Sequence, residues 1–330
     1  MRDLYASQYL LPTRLAMEQT PESELGGVNP QIGDNLVVGA DLRTFFLRRD
    51  DRSARGNFVE MQGSVYLNFS LSPRFAAYIH EDIGQGSATT FEIYGIGYFA
   101  GGKAYARVGK FVPSFGWKVA DHRSFTRREF VFLPSFPPHS DTGLEVGVYP
   151  GPFALQGSIS NGEYRAAFDS NEDFAWTARG TYRFTSAIAN AEIGGSFYQT
   201  ESTLEKRQAG GPLAAASAWR ITWTGEFDWT RREIRQPTLG VIRSFTTAHE
   251  LAFAIVQGFD AVAAYDFHDA NIDLQSGAAH RASAGIDALV YPFLSLAGRV
   301  NVFRVDEGPD IVASFPTEYT EYQAQVHFLY

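Results

Sequence analysis

The chain has 330 residues, which is room for about two soluble domains of ~150 residues or for one large β-barrel. Hydrophobic residues make up 45% and charged residues 20%, a balance that excludes intrinsic disorder. With no cysteine, disulfides, thiolate nucleophiles, Cys-ligated zinc and covalent c-type haem attachment are excluded, and a formal net charge of -9 argues against nucleic-acid binding, which calls for a basic face.

Residues 1–34 contain Pro12, Pro21 and Pro30 and show little alternation, so they are read as a periplasmic arm or leader, with Tyr5, Tyr9, Leu10 and Leu11 as apolar anchors. They hold no apolar run of the length a secretory signal needs, and a signal is expected to have been removed from this numbering. No stretch of the chain approaches the ~20 apolar residues of a membrane-spanning helix, and the mean hydropathy is -0.18. A membrane barrel stays open, because its strands are only half apolar. The composition favours that form: 27 Phe, 16 Tyr and 5 Trp accompany 31 Gly and only 3 Met, the usage of strands and tight turns.

From residue 35 onward the chain reads as strands. Val59 to Leu71 places Val59, Met61, Gly63, Val65, Leu67, Phe69 and Leu71 on one face and Glu60, Gln62, Ser64, Tyr66, Asn68 and Ser70 on the other. Thirteen residues of period two exceed the ~5–6 of a soluble strand and suit a tilted membrane strand of ~9–11 residues or more. Short turns are predicted at 72–74, 100–102, 150–152, 185–186, 257–258 and 291–292, and longer loops at 82–89, 161–173, 200–208, 268–280 and 306–318. Short turns on one rim and long loops on the other are the layout of bacterial outer-membrane barrels. Trp219 to Trp229 is predicted as one strand with Trp219, Trp223 and Trp229 toward lipid, the outer two near the interfaces. Ala209 to Ala216 alternates poorly and is assigned to a strand partly because single-chain barrels hold an even number. The expected fold is an all-β, antiparallel transmembrane barrel over residues 35–330 with about sixteen strands, fourteen being the alternative.

The longest loop, 111–141, carries most of the candidate chemistry. Around it lie Arg107, Lys110, Lys118, Arg123, Arg127 and Arg128 against few acids, so an in-folded loop would make a positively charged constriction that favours anions. A solvated surface loop is the plain alternative. Phe125, Phe130, Phe132 and Phe136 with Pro134, Pro137 and Pro138 make the loop too apolar to stay free of contacts. On the presumed inner face stand Glu60, Arg74, Tyr78, His80, Glu92, Tyr94, Tyr105, Arg107, Glu145, Arg179, Arg183, Glu192, Arg220, Glu226 and Asp228, whose mixed signs suggest cross-strand ion pairs. The seven histidines are scattered with no HExxH or GxSxG signature, and Asp121, His122 and Ser124 are too close in sequence to form a triad. Asp266, His268 and Asp269 have only generic cation-site spacing. The chain is therefore read as no enzyme, with no cofactor or metal.

The last strand alternates Tyr322, Ala324, Val326, Phe328 and Tyr330 on one face and closes on an aromatic. It resembles the C-terminal signal that the barrel-assembly machinery reads in outer-membrane proteins, carried here by Tyr322, Val326, Phe328 and Tyr330. Gly109-Lys110-Phe111-Val112-Pro113-Ser114-Phe115-Gly116 resembles the strand-end motif of the phosphate-selective porin O and P group. The region from Glu250 through Tyr265-Asp266-Phe267 to Tyr291-Pro292-Phe293-Leu294 is similar to barrels found near multihaem cytochromes. These resemblances imply an outer-membrane channel for small, anionic solutes, in contact with lipopolysaccharide and assembled as a homotrimer. The alternative they imply is a barrel sleeve around a multihaem cytochrome or another outer-membrane partner.

Overall fold

In the computed structural model, the described residues are Met17, 31–51, 56–83, 89–117, 124–126, 140–162, 173–202, 205–235, 240–274, 277–307 and 317–329. Among them a two-residue strand, β1 (Gln31–Ile32), precedes sixteen long ones. These are β2 (Leu36–Arg49), β3 (Asn57–Ser72), β4 (Phe75–Asp82), β5 (Thr89–Phe99), β6 (Ala104–Phe111), β7 (Asp141–Val148), β8 (Phe153–Ser160) and β9 (Ala175–Thr185), then β10 (Ala189–Glu201), β11 (Glu205–Ala218), β12 (Ile221–Ile234), β13 (Gly240–Val256), β14 (Phe259–Asp269), β15 (Ala279–Tyr291), β16 (Leu294–Val305) and β17 (Glu318–Leu329). Each pairs antiparallel with its neighbours in sequence, and β17 pairs with β2 from Glu321↔Arg49 to Leu329↔Asp41, so the sheet closes into a sixteen-strand barrel. Closure leaves no sheet edge among these strands, the condition for a β structure to sit in hydrocarbon.

The period-two pattern decides which way each side chain points. On β3, Phe69 and Leu71 are exposed outside the wall while Ser64 and Asn68 are buried inside it. On β12, Ile221 and Trp229 face out, and Thr222, Glu226, Asp228 and Thr230 face in. The outer surface is ringed by aromatic pairs at both ends. Phe75–Phe99, Phe153–Tyr182 and Trp219–Phe253 lie near the short turns, and Phe46–Phe58 and Trp229–Phe245 near the opposite rim. From Ile221 to Arg231 on β12 the chain climbs about 33 Å at ~3.3 Å per residue. A tilt of ~40° reduces this to about 25 Å, the height of the apolar band in membrane barrels. The wall is built to stand in a lipid bilayer.

Seven connections of two to four residues form one rim, and the connections on the other rim include the 29 residues between β6 and β7. Two details differ from the sequence reading. Trp219 does not begin a strand: with Arg220 it forms the turn between β11 and β12, holding a left-handed backbone (φ 53) that a non-glycine residue seldom adopts. The expected loop at 200–208 shrinks to residues 202–204, because β10 and β11 run on to Glu201 and from Glu205 and Ser202 Oγ accepts the Glu205 amide at 3.2 Å. Ala209 to Ala216 is indeed strand, in register with β10 throughout. Gly211 and Pro212 drop out of the ladder with β12, as a residue without an N–H must weaken it, yet Leu213↔Glu226 resumes the same register.

Of residues 1–34, the described ones dock at the short-turn rim. The Met17 amide donates to the Leu289 carbonyl at 2.8 Å, and β1 pairs with the start of β2 through Gln31↔Val37.

Candidate functional site

The chain leaving β6 turns into the lumen and is tied to the opposite wall. Phe111 is fully buried with its ring under the Arg107 guanidinium (4.4 Å). The Val112 amide then donates to Glu92 on β5 (2.8 Å), and the Ser114 amide and hydroxyl both donate to Glu145 on β7 (3.1 and 2.9 Å). Gly116 takes a left-handed conformation (φ 53) and offers its carbonyl to Arg179 on β9 (3.2 Å). Trp117 follows, with its amide on Glu226 of β12 (2.9 Å) and its indole N–H on the Gly225 carbonyl (3.0 Å). Farther on, the Ser124 hydroxyl and Phe125 amide converge on Asp266 of β14 (2.8 and 3.0 Å), halfway round the ring from β6. The Phe125 ring lies against Phe303, which stacks on Tyr319.

Four carboxylates from four strands thus hold the backbone of one segment. Each is buried: Glu145 is 0% exposed and Asp266 1%. A buried carboxylate demands donors, and each of these has an arginine or backbone amides to supply them. Arg107 pairs with Glu145 at 2.8 Å and lies 3.9 Å from Glu92, while Arg281 grips Asp266 at 2.5 Å. Further pairs line the inner wall, with Arg183 on Glu192 (3.0 Å), Arg299 on Asp287 (2.7 Å) and His327 on Asp41 (2.8 Å). Of the inner-face residues expected to pair, Arg107, Arg179, Arg183, Glu92, Glu145 and Glu192 do so.

The segment also explains the poor alternation of β11. Phe115 packs on Ala175, Tyr198 and Ala209, and Trp117 packs on Leu213 and Ala215. Over residues 209–216 the lumen side of β11 is apolar because aromatic rings cover it, so both faces of that stretch are apolar. Gly116 makes this approach feasible, since a Cβ there would collide with the Glu226 carboxylate. Gly116→Ala is expected to loosen the Trp117–Glu226 contact by about 1–2 kcal/mol through left-handed strain alone, read as greater open-channel noise in bilayer recordings. A quiet channel would show that the segment does not depend on this turn.

The constriction candidates are placed unevenly. Arg107 faces the lumen and is committed to Glu145 and Glu92. Lys110 stands on the outward phase of β6, opposite Ile93 and Thr142, and so away from the lumen. Lys118, Arg123, Arg127 and Arg128 lie outside the described residues, but the anchors that flank them, Trp117 and Ser124 to Thr126, are buried inside the barrel. Of the inner-face residues, Arg74 and Arg220 occupy short turns, and the Glu60 side chain lies outside the described set. Asp121 and His122 also fall outside it, whereas Ser124 serves as an anchor on Asp266. Asp266 is engaged by Arg281, Ser124 and Phe125, and no cluster of metal-ligating side chains occurs among the described residues. In the terminal strand Tyr322, Val326 and Phe328 point outward as the alternation requires, and Tyr330 lies outside the described residues.

No protein-family model matches the chain, and no curated protein matches it by sequence. Solved structures do. The chain is similar to an anion-selective porin from Comamonas acidovorans, with a TM-score of 0.65 and 10% identity over 90% of this chain and 99% of that one. OmpT of Vibrio cholerae gives a TM-score of 0.66 and 9% identity over 92% and 100%. OprB of Pseudomonas putida gives 0.67 and 9% over 90% and 94%. The closed sixteen-strand wall, the lipid-facing aromatic girdles and the in-folded segment make this chain an outer-membrane porin-like β-barrel in fold.

Proposed function

We propose that the chain is a passive diffusion channel of a bacterial outer membrane, narrowed by the segment that begins at Phe111, with a preference for small anions. The observation that carries the reading is the anchoring of Trp117 on β12 and of Ser124 and Phe125 on β14. A loop fastened across a lumen restricts passage without closing the wall around it. Several buried wall charges are held in pairs, and the basic residues Lys118, Arg123, Arg127 and Arg128, which neighbour these anchors in sequence, are the proposed source of a positive field in the constriction. The similar Comamonas protein is described as anion-selective, which agrees with this assignment. A trimer form is described for the V. cholerae protein, and a homotrimer is proposed here on that likeness. The in-folded segment speaks against a sleeve for a cytochrome, because the guest would have to displace it.

Replacing Lys118, Arg123, Arg127 and Arg128 together by Gln is expected to lower the anion-over-cation permeability ratio several-fold, roughly the effect of removing one to two kcal/mol of field. Reversal potentials in a potassium chloride gradient measure it. An unchanged ratio removes the basic constriction and leaves an unselective channel.

A further inference from the structure

One side of the lumen is panelled with tyrosine. Tyr66 on β3, Tyr78 on β4, Tyr94 and Tyr98 on β5, Tyr105 on β6 and Tyr149 just beyond β7 all stand on the inward phase of successive strands. These are six of the chain's sixteen tyrosines, gathered on a third of the wall. Direct register links them: Tyr78↔Tyr94 and Tyr98↔Tyr105 are cross-strand pairs, with Tyr78 and Tyr94 rings 5.1 Å apart and Tyr105 stacked on Tyr149 at 6.1 Å. Gly147 opposite Tyr105 leaves the room that ring occupies, since a Cβ there would strike it. All but Tyr105 keep part of their surface exposed. The row runs from the short-turn rim, at Tyr98 and Tyr149, to the level of His80 and Arg107, where the in-folded segment departs.

Ring faces alone would suit any apolar solute, but polar groups border them. Arg107 lies over the Tyr94 ring (5.1 Å), and its Nε has no hydrogen-bond partner among the described residues. Asn68, in register with Tyr78, is buried, and its Oδ1 likewise has no partner there. Gln156 donates to the Tyr105 hydroxyl at 3.0 Å, and that hydroxyl donates to Glu145 at 2.6 Å. The two carboxylates of this zone are already engaged, Glu145 by Arg107, the Tyr105 hydroxyl and Ser114, and Glu92 by Arg107 and the Val112 amide, so neither is offered bare to an ion. Aromatic faces edged by planar donors and acceptors, with the nearby carboxylates already engaged, match a neutral pyranose, whose C–H faces stack on rings while its hydroxyls take hydrogen bonds at the edge.

We infer that the tyrosine row is a binding track for neutral carbohydrate on the periplasmic half of the lumen. The inference rests on the channel reading and adds a solute class to it. The test is cellobiose titrated against single channels in a planar bilayer. The expected result is a saturable decrease in conductance whose half-saturation concentration rises about tenfold in Tyr78→Leu/Tyr94→Leu, which keeps apolar side chains of smaller size and removes two ring faces. Tyr98→Leu, nearer the rim, is the second variant should the pair fail to assemble, and it is expected to shift half-saturation in the same direction. Conductance without saturable block, equal block by a polyethylene glycol of the same hydrodynamic size, or block by benzoate and not by cellobiose would each overturn the carbohydrate assignment while leaving the channel intact. Folded protein that conducts no ions at all would instead remove the channel reading, and this inference with it.

Discussion

Asp266→Ala is expected to raise single-channel conductance and to make it fluctuate, because it cuts the far anchor of the in-folded segment. The carboxylate holds three groups at once: the Ser124 hydroxyl, the Phe125 amide and the Arg281 guanidinium. Hydrogen bonds to a charged group contribute roughly 1.5–3 kcal/mol each, and two of them fasten the segment. The third partner decides where the remaining cost falls. Arg281 is 2% exposed, and removing the carboxylate it grips costs up to about 3–5 kcal/mol when nothing relaxes. Water entering beside the freed segment is the available relief, which is itself the enlargement that conductance reads. Asp266→Asn keeps acceptor and shape while removing charge, so its conductance should lie between wild type and Ala. Identical conductance in all three proteins would show that the segment keeps its place without Asp266, and the description of this anchor would fail.

The barrel was legible in the chain to the extent that its two faces see different solvents. Gly63 to Leu71 alternates cleanly because its outer residues meet hydrocarbon and its inner ones water and partner charges, whereas a register shift against β2 between Arg43 and Thr44 breaks the predicted phase before it, setting Val59 opposite Phe45 and Glu60 opposite Thr44. β11 was obscure for the opposite reason: its inner residues Ala209, Leu213 and Ala215 meet Phe115 and Trp117, so no polar face marks the inside. The Trp219–Arg220 turn left no trace because a tryptophan at positive φ carries none of the glycine or asparagine signals by which turns are read. Of the loop's aromatic and proline residues, Phe125 packs on Phe303 as its apolar character suggested, while Phe130, Phe132, Phe136, Pro134, Pro137 and Pro138 lie outside the described residues; the loop's anchors were invisible in the sequence. Glu226 and Asp266 lie 109 and 141 residues from the amides they hold, and only closure of the ring brings them together. The tyrosine row could have been found. Tyr66, Tyr78, Tyr94 and Tyr105 all fall on inward phases of the alternation, and tabulating inward residues strand by strand, rather than by charge, exposes it.

Leu251→Arg is expected to be the most damaging single substitution on the outer wall, and its cost should depend on depth. Leu251 projects outward near mid-height of β13, between Trp223 and Ala263 in register. Arginine at the bilayer midplane of such a wall costs about 2–4 kcal/mol, falling to ~0–1 near the interface. Thr142→Arg supplies the comparison, since Thr142 is also outward but stands at the end of β7 away from the short turns, where the long side chain reaches headgroups. Reversible unfolding from phospholipid bilayers, followed by tryptophan fluorescence, should therefore show a shift of some 2 kcal/mol or more for Leu251→Arg and little for Thr142→Arg. In detergent micelles, which deform around a charge, the two variants should converge. Equal stability of both in bilayers would mean that the face bearing Leu251 does not meet hydrocarbon. That outcome would remove the membrane wall on which the lumen, its in-folded segment and the solute path all depend.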